Sequence, residues 1–198
     1  MNFLAHQYLS FGSPPVMAGN FLADTLRGSY THLLPPQVLH GVLLHRFIDS
    51  YTDAHPTVLE SRKLLYPYFS KYAAVVQDVF YDHFLASAWG SYHAHDLGAF
   101  AKRVYATLAT YSELFNERAA RTYHYMSLQG WLEGYAHREG LHRAMSGLSR
   151  RARFPSNMEN SLQALDAHNR ELQDHFRDFF PALEAEAKSY YIQITHGS

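Results

Sequence analysis

Histidine, asparagine and aspartate stand inside apolar runs at several places, with a spacing that suits metal-assisted chemistry. His6 follows Phe3-Leu4-Ala5, Asn20 and Asp24 bracket Phe21-Leu22-Ala23, and His45 and Asp49 bracket Arg46-Phe47-Ile48. Asp78 and Asp82 repeat the spacing around Val79-Phe80-Tyr81, with His83 next in line. Residues four apart share one face of a helix. Buried imidazoles and carboxylates are costly unless they pair or bind a metal. The repetition therefore predicts one site between helices, with His6 completing it. Imidazole and carboxylate without thiolate favour a hard or borderline ion: Mn²⁺ or Mg²⁺ first, with Zn²⁺ or Fe²⁺ as alternatives. Such a site suits hydrolysis at phosphorus, where an ion neutralises phosphoryl charge and acidifies water. Arg27 or Arg46 could hold a further phosphate oxygen.

Each residue also has a structural reading. Asp49 could pair with Arg46, Asp78 could face solvent, and Asp53 could be a helix-end residue or a supporting acid. His40 and His55 read as structural.

The elements that must position these residues are helical. Apolar residues recur at helical spacing and no period-2 stretch stands out. The expected helices cover 2–11 and 16–26, then a third opened by Pro35-Pro36 and reaching Ala54, since proline suits a first turn. A short helix follows Pro56, and a long one covers 70–92. Asp96 is the expected N-cap of the next, to about residue 115. Further helices are expected over 117–135, 138–150 and 158–180, with Pro181 starting or kinking a last segment to about 194. The expectation is an all-α, single-domain multi-helix bundle spanning 1–198.

Composition narrows the function. The 198 residues are 47% hydrophobic and contain no cysteine, which excludes thiolate catalysis and Cys-based zinc sites. No Gly-x-Ser-x-Gly, Walker loop or dinucleotide-binding glycine pattern occurs. The first residues make a poor signal peptide, and no apolar run approaches the ~20 residues of a membrane span. A soluble, cytoplasmic chain is expected. The net charge of -1 offers no global field for nucleic acid. Arg138, Arg143, Arg150, Arg151 and Arg153 nevertheless crowd one segment. They read either as a solvated helix face or as a docking surface for an acidic partner. The 14 histidines add weight to metal or acid–base chemistry.

Four blocks in order, MNFLAH at 1–6, GNFLAD at 19–24, HRFIDSYTDAHP at 45–56 and DVFYDHFLA at 78–86, resemble the acyl carrier protein phosphodiesterases. The similarity extends through WLEGY at 131–135 to FFP at 179–181, covering nearly the whole chain. The resemblance implies an enzyme that converts holo-acyl carrier protein to the apo form. It would release 4′-phosphopantetheine from a serine phosphodiester, with Mn²⁺ as the usual ion. It also implies a divergent, HD-domain-like relative of the phosphohydrolases that include ppGpp hydrolases. The chain departs from that superfamily: Asp82-His83 stands in reversed order, and His95-Asp96 falls where a loop and helix cap are expected. Carried over by position, His6, Asp24, His45, Asp49 and Asp82 are the expected metal sphere or its support. Asn20, Arg27, Arg46, Asp53 and His83 are the expected residues for phosphate contact, orientation or proton transfer. The acidic carrier makes the five-arginine segment its expected docking surface. Two other readings remain: hydrolysis of a nucleotide or ppGpp-like molecule, and a non-catalytic helical protein that binds a carrier.

Overall fold

The computed structural model describes residues 1–26 and 33–196, and every regular element among them is helical. The helices are α1 (Phe3–Tyr8), α2 (Pro14–Ala23), α3 (Pro36–Ala54), α4 (Pro56–Phe69) and α5 (Ala73–Ser87). They continue with α6 (Leu97–Ala109), α7 (Glu117–Gln129), α8 (Trp131–Gly134), α9 (Arg138–Arg151) and α10 (Ser161–His196). Asp96 caps α6, its Oδ1 accepting the Ala99 N–H at 2.8 Å. One connected core runs through them, with Phe21, Phe80, Tyr81, Phe176, Phe179 and Phe180 among its largest buried side chains. Among the described residues no helix is long and apolar enough to cross a membrane.

Several expected boundaries shift for local reasons. α1 stops well short of residue 11, because Phe11 and Gly12 take φ of 51° and 73° and turn the chain. The stretch 117–135 is two helices, since Gly130 in the left-handed region ends α7. The long helix expected over 70–92 is trimmed by 3₁₀ turns at Ser70–Tyr72 and Trp89–Ser91. At the other end of the chain, α10 continues through Pro181. Phe179, Phe180, Leu183 and Ala187 are buried on both sides of the proline and hold the axis against its lost hydrogen bond. Its one non-helical residue is His168 instead (φ -125°, ψ 15°).

The crossing of α2 and α3 decides where the polar residues meet. A Cβ on Gly19 would lie 1.8 Å from the Val38 carbonyl oxygen, and one on Gly41 would lie 2.2 Å from that of Val16. Only glycine permits this backbone-to-backbone approach. About one turn beyond the contact come Asp24, the C-cap of α2, and His45 on α3, and the crossing brings them side by side.

Candidate metal centre

His45, on the face of α3 that meets α2, places Nε2 3.1 Å from Asp49 Oδ2 and 3.4 Å from Asp24 Oδ1. His6, from α1, places Nε2 3.2 Å from Asp49 Oδ1. The two imidazoles stack, with centroids 4.0 Å apart. His6, His45 and Asp49 each offer a ligand atom, all within 4.8 Å of one another. The imidazoles are buried, whereas the Asp24 and Asp49 side chains are 48% and 45% exposed. The site is thus floored by nitrogen and opens to solvent along its carboxylate rim.

Asn20 fixes this arrangement from behind. Its Nδ2 donates to the His6 carbonyl at 2.9 Å and to Ser10 Oγ at 3.2 Å, so Oδ1 faces His45 and accepts from Nδ1–H at 2.9 Å. That bond leaves His45 Nε2 directed at the carboxylates, the orientation a ligating histidine needs. His6 is held less fully. Its Nδ1 is buried and has no hydrogen-bond partner among the described residues.

Proton distribution follows from crowding. Burial lowers the His45 pKa, but hydrogen bonds and charge from Asp24 and Asp49 outweigh it and raise it to about 9. His6 goes the other way, lowered by burial and then by the charge on His45. Burial works to raise both Asp24 and Asp49, yet the imidazoles hold their carboxyls below the ordinary value. The shifts put the extra proton on His45 and leave His6 neutral beside ionised carboxylates. That donor set fits a divalent ion of the hard or borderline kind.

The remaining expected site residues have other partners. Asp82 is wholly buried and is not one of the converging ligands. Its Oδ2 accepts the Leu4 N–H at 2.7 Å, and its Oδ1 accepts those of Asn2 and Ala5 at 3.3 and 3.2 Å. It therefore caps α1 from another helix, supplying acceptors that the α1 N-cap Asn2 does not provide. Burial pushes its carboxyl up to about 7 against these donors. Asn20 is buried and structural in its contacts rather than open to a substrate. Asp53 pairs with Arg62 at 2.8 Å, bracing α3 against α4. His83 Nδ1 lies 2.7 Å from the Tyr135 carbonyl, which only accepts, so Nδ1 carries the proton there. Neither joins His6, His45 and Asp49. Arg46 is exposed on α3, and Arg27 lies outside the described residues.

Sequence reasoning passed over one group at this site. The Met1 α-ammonium is buried 2.9 Å from Asp78 Oδ1 and 4.0 Å from Asp49 Oδ1. No side-chain spacing signals it. The weaker of the two α5 carboxylates by sequence, Asp78, is thus closer to the cluster's charge network than its side-chain pattern suggests.

Of the five arginines, Arg138 makes a two-pronged pair with Asp166 at 2.8 and 2.9 Å. Arg143, Arg150, Arg151 and Arg153 are exposed on α9 and just beyond it. Lys71 lies 3.4 Å above the exposed Phe154 ring, with Arg153 also near it at 5.4 Å.

Comparison with known proteins adds a consistent picture. The family model described as acyl carrier protein phosphodiesterase matches residues 1–183. A relative named acyl carrier protein phosphodiesterase, from Enterobacter sp. (strain 638), is 32% identical over 191 residues, covering 96% of this chain and 98% of the relative. One of the same name from Salmonella agona (strain SL483) is 32% identical over 188 residues, covering 94% and 97%. No solved structure matches. The chain belongs to the acyl carrier protein phosphodiesterase family.

Proposed function

We propose that this protein hydrolyses the serine phosphodiester of holo-acyl carrier protein, giving apo-carrier and 4′-phosphopantetheine. A divalent ion, Mn²⁺ first and Mg²⁺ next, is held by His6, His45 and Asp49. The observation that supports it most is the convergence of these three ligand groups at a solvent-open rim, in a chain of this family. When bound, the ion would draw charge from a phosphoryl oxygen and acidify water. The protein's own part is orientation and proton handling. Asn20 holds the His45 ring through Nδ1, and Asp49 lies between the two imidazoles. Asp24, ionised and half exposed beside His45 Nε2, is the group placed to align water or receive a proton. Arg46 and Arg27 are the proposed phosphate contacts. Kinship with HD-domain phosphohydrolases belongs to the same proposal, supported by an imidazole–carboxylate centre set between helices.

The proposed docking face for the acidic carrier is formed by Arg143, Arg150, Arg151, Arg153 and Lys71 around Phe154, because complementary charge governs encounter and register. Arg138 contributes through its hold on Asp166. The test is mass spectrometry of holo-carrier after incubation with enzyme and Mn²⁺, with nucleotides including ppGpp assayed in parallel. Loss of the phosphopantetheine mass from the carrier is expected. Turnover of a nucleotide with an unchanged carrier would replace this reading, and binding of holo-carrier without turnover of either would reduce the protein to a binder.

A further inference from the structure

Amino termini are usually solvated and mobile, yet this one is buried against carboxylates. The Met1 ammonium donates to Asp78 Oδ1 at 2.9 Å and lies 4.0 Å from Asp49 Oδ1. The residues after it are tied down as well. Asp82 accepts the N–H groups of Asn2, Leu4 and Ala5, and the Asn2 side-chain amide donates to the Tyr135 hydroxyl at 3.1 Å. Helix α1, only six residues long, is too short to persist without such anchors. His6 follows them directly in the chain, so the seat of the terminus sets the position of that imidazole. The same ammonium faces Asp49, the carboxylate that both imidazoles share.

We propose that the Met1 ammonium, in a chain that begins there, is a positioning group of the metal centre: paired with Asp78, it seats α1 and holds Asp49 toward His6 and His45. This rests on reading the His6, His45 and Asp49 cluster as a metal centre. It goes further in assigning a role to the terminal amine and to Asp78. An added residue displaces the charge, and acetylation removes it.

The test compares metal-stripped protein with a free Met1 against protein extended by one glycine, N-acetylated protein, Asp78→Asn and Asp78→Glu. Mn²⁺ binding is read without substrate from the electron paramagnetic resonance of the free ion. The expected result is roughly ten- to hundredfold weaker Mn²⁺ binding on extension, acetylation or Asp78→Asn, the range for groups that orient ligands. Asp78→Glu should recover part of the loss. Extension combined with Asp78→Asn should be no worse than either alone, as one interaction predicts. Hydrogen exchange at the Leu4 and Ala5 amides should quicken in the blocked forms. A merely structural ion pair would lower the thermal midpoint and leave Mn²⁺ affinity unchanged, and that result overturns the proposal. Should an extended chain fail to fold, Asp78→Asn keeps the native terminus and carries the same comparison. Failure of the unblocked protein to bind Mn²⁺ is a different outcome, because it removes the metal centre itself and this role with it.

Discussion

Two polar networks are buried in this protein, and they end differently. Between α4, α5 and α10, Ser61 Oγ lies 2.7 Å from the Tyr81 hydroxyl and 2.9 Å from His175 Nδ1. Gln77 donates to the Val58 carbonyl at 2.7 Å and accepts from Arg62 at 3.1 Å, and Arg62 ends on the exposed Asp53. Buried neutral groups satisfy one another there, and the ion pair sits at the outer end. The cluster around His45 lacks that closure. It stacks two imidazoles, sets Asp24 and Asp49 against them, reaches Asp78 through the Met1 ammonium, and leaves His6 Nδ1 without a partner among the described residues. A network that serves stability alone ends in satisfied pairs. Carboxylates set against buried imidazoles at an open rim are the feature on which the proposed metal site rests.

Substitutions should separate the two networks, and the largest effect belongs to the open one. His45→Ala or Asp49→Ala should cut holo-carrier hydrolysis roughly a hundredfold or more, beyond the loss expected for an outer-shell group. The folded state should survive, as circular dichroism would show. A well-folded Asp49→Ala enzyme with native turnover at limiting Mn²⁺ would erase the distinction. Asn20→Ala acts one step further out and should weaken Mn²⁺ binding about tenfold or more, read by calorimetry. In the closed network, Ser61→Ala should instead cost about 1–3 kcal/mol of stability, leaving the Tyr81 hydroxyl only the 3.4 Å bond it accepts from Gln77. Its turnover number at saturating substrate should match that of the parent. A selective loss of turnover with unchanged stability would show that the closed network has a functional role after all.

The two networks also differ in how much of them the sequence reveals. The i, i+4 pairs mark the α2, α3 and α5 faces, and proline marks both ends of α3, at Pro36 and after Ala54. Spacing could not distinguish Asp49 from Asp82, because each interrupts an apolar stripe. The difference lies in partners: Asp49 meets imidazoles, whereas Asp82 meets the main-chain amides of α1. Main-chain donors carry no residue signature, and for the same reason the terminal ammonium went unseen. Asn20 showed its position but not its task, which depends on the close approach of Gly19 and Gly41. Gly130 as a helix end and the passage of α10 through Pro181 were likewise settled by backbone angles and packing.

Acidity offers a smaller, graded probe of the open cluster. The His45 pKa rises from 6.5 to about 9 on folding, and the Met1 amine is raised from 8.0. Groups raised in this way stabilise the fold fully below their unfolded values, and that contribution fades as pH climbs through the folded ones. The thermal midpoint of metal-free protein should therefore fall by a few degrees between about pH 6.5 and 9. His45→Gln should flatten the slope. Saturating Mn²⁺ should oppose it, since an ion takes the deprotonated imidazole. A slope unchanged by His45→Gln would assign the titration to other groups. The smallest effect is expected at the basic face. Reversing Arg143, Arg150 and Arg153 to Glu should raise the KM for holo-carrier several-fold, with kcat nearly unchanged, and added salt should weaken the parent in the same direction.

The claim that the open cluster is a metal centre is tested most directly by crystals grown with Mn²⁺ and examined for anomalous scattering. The expected map has its strongest peak within bonding distance of His6, His45 and Asp49, and that peak is lost in Asp49→Ala. A map with no peak there, or with the ion held elsewhere on the protein, would contradict the account.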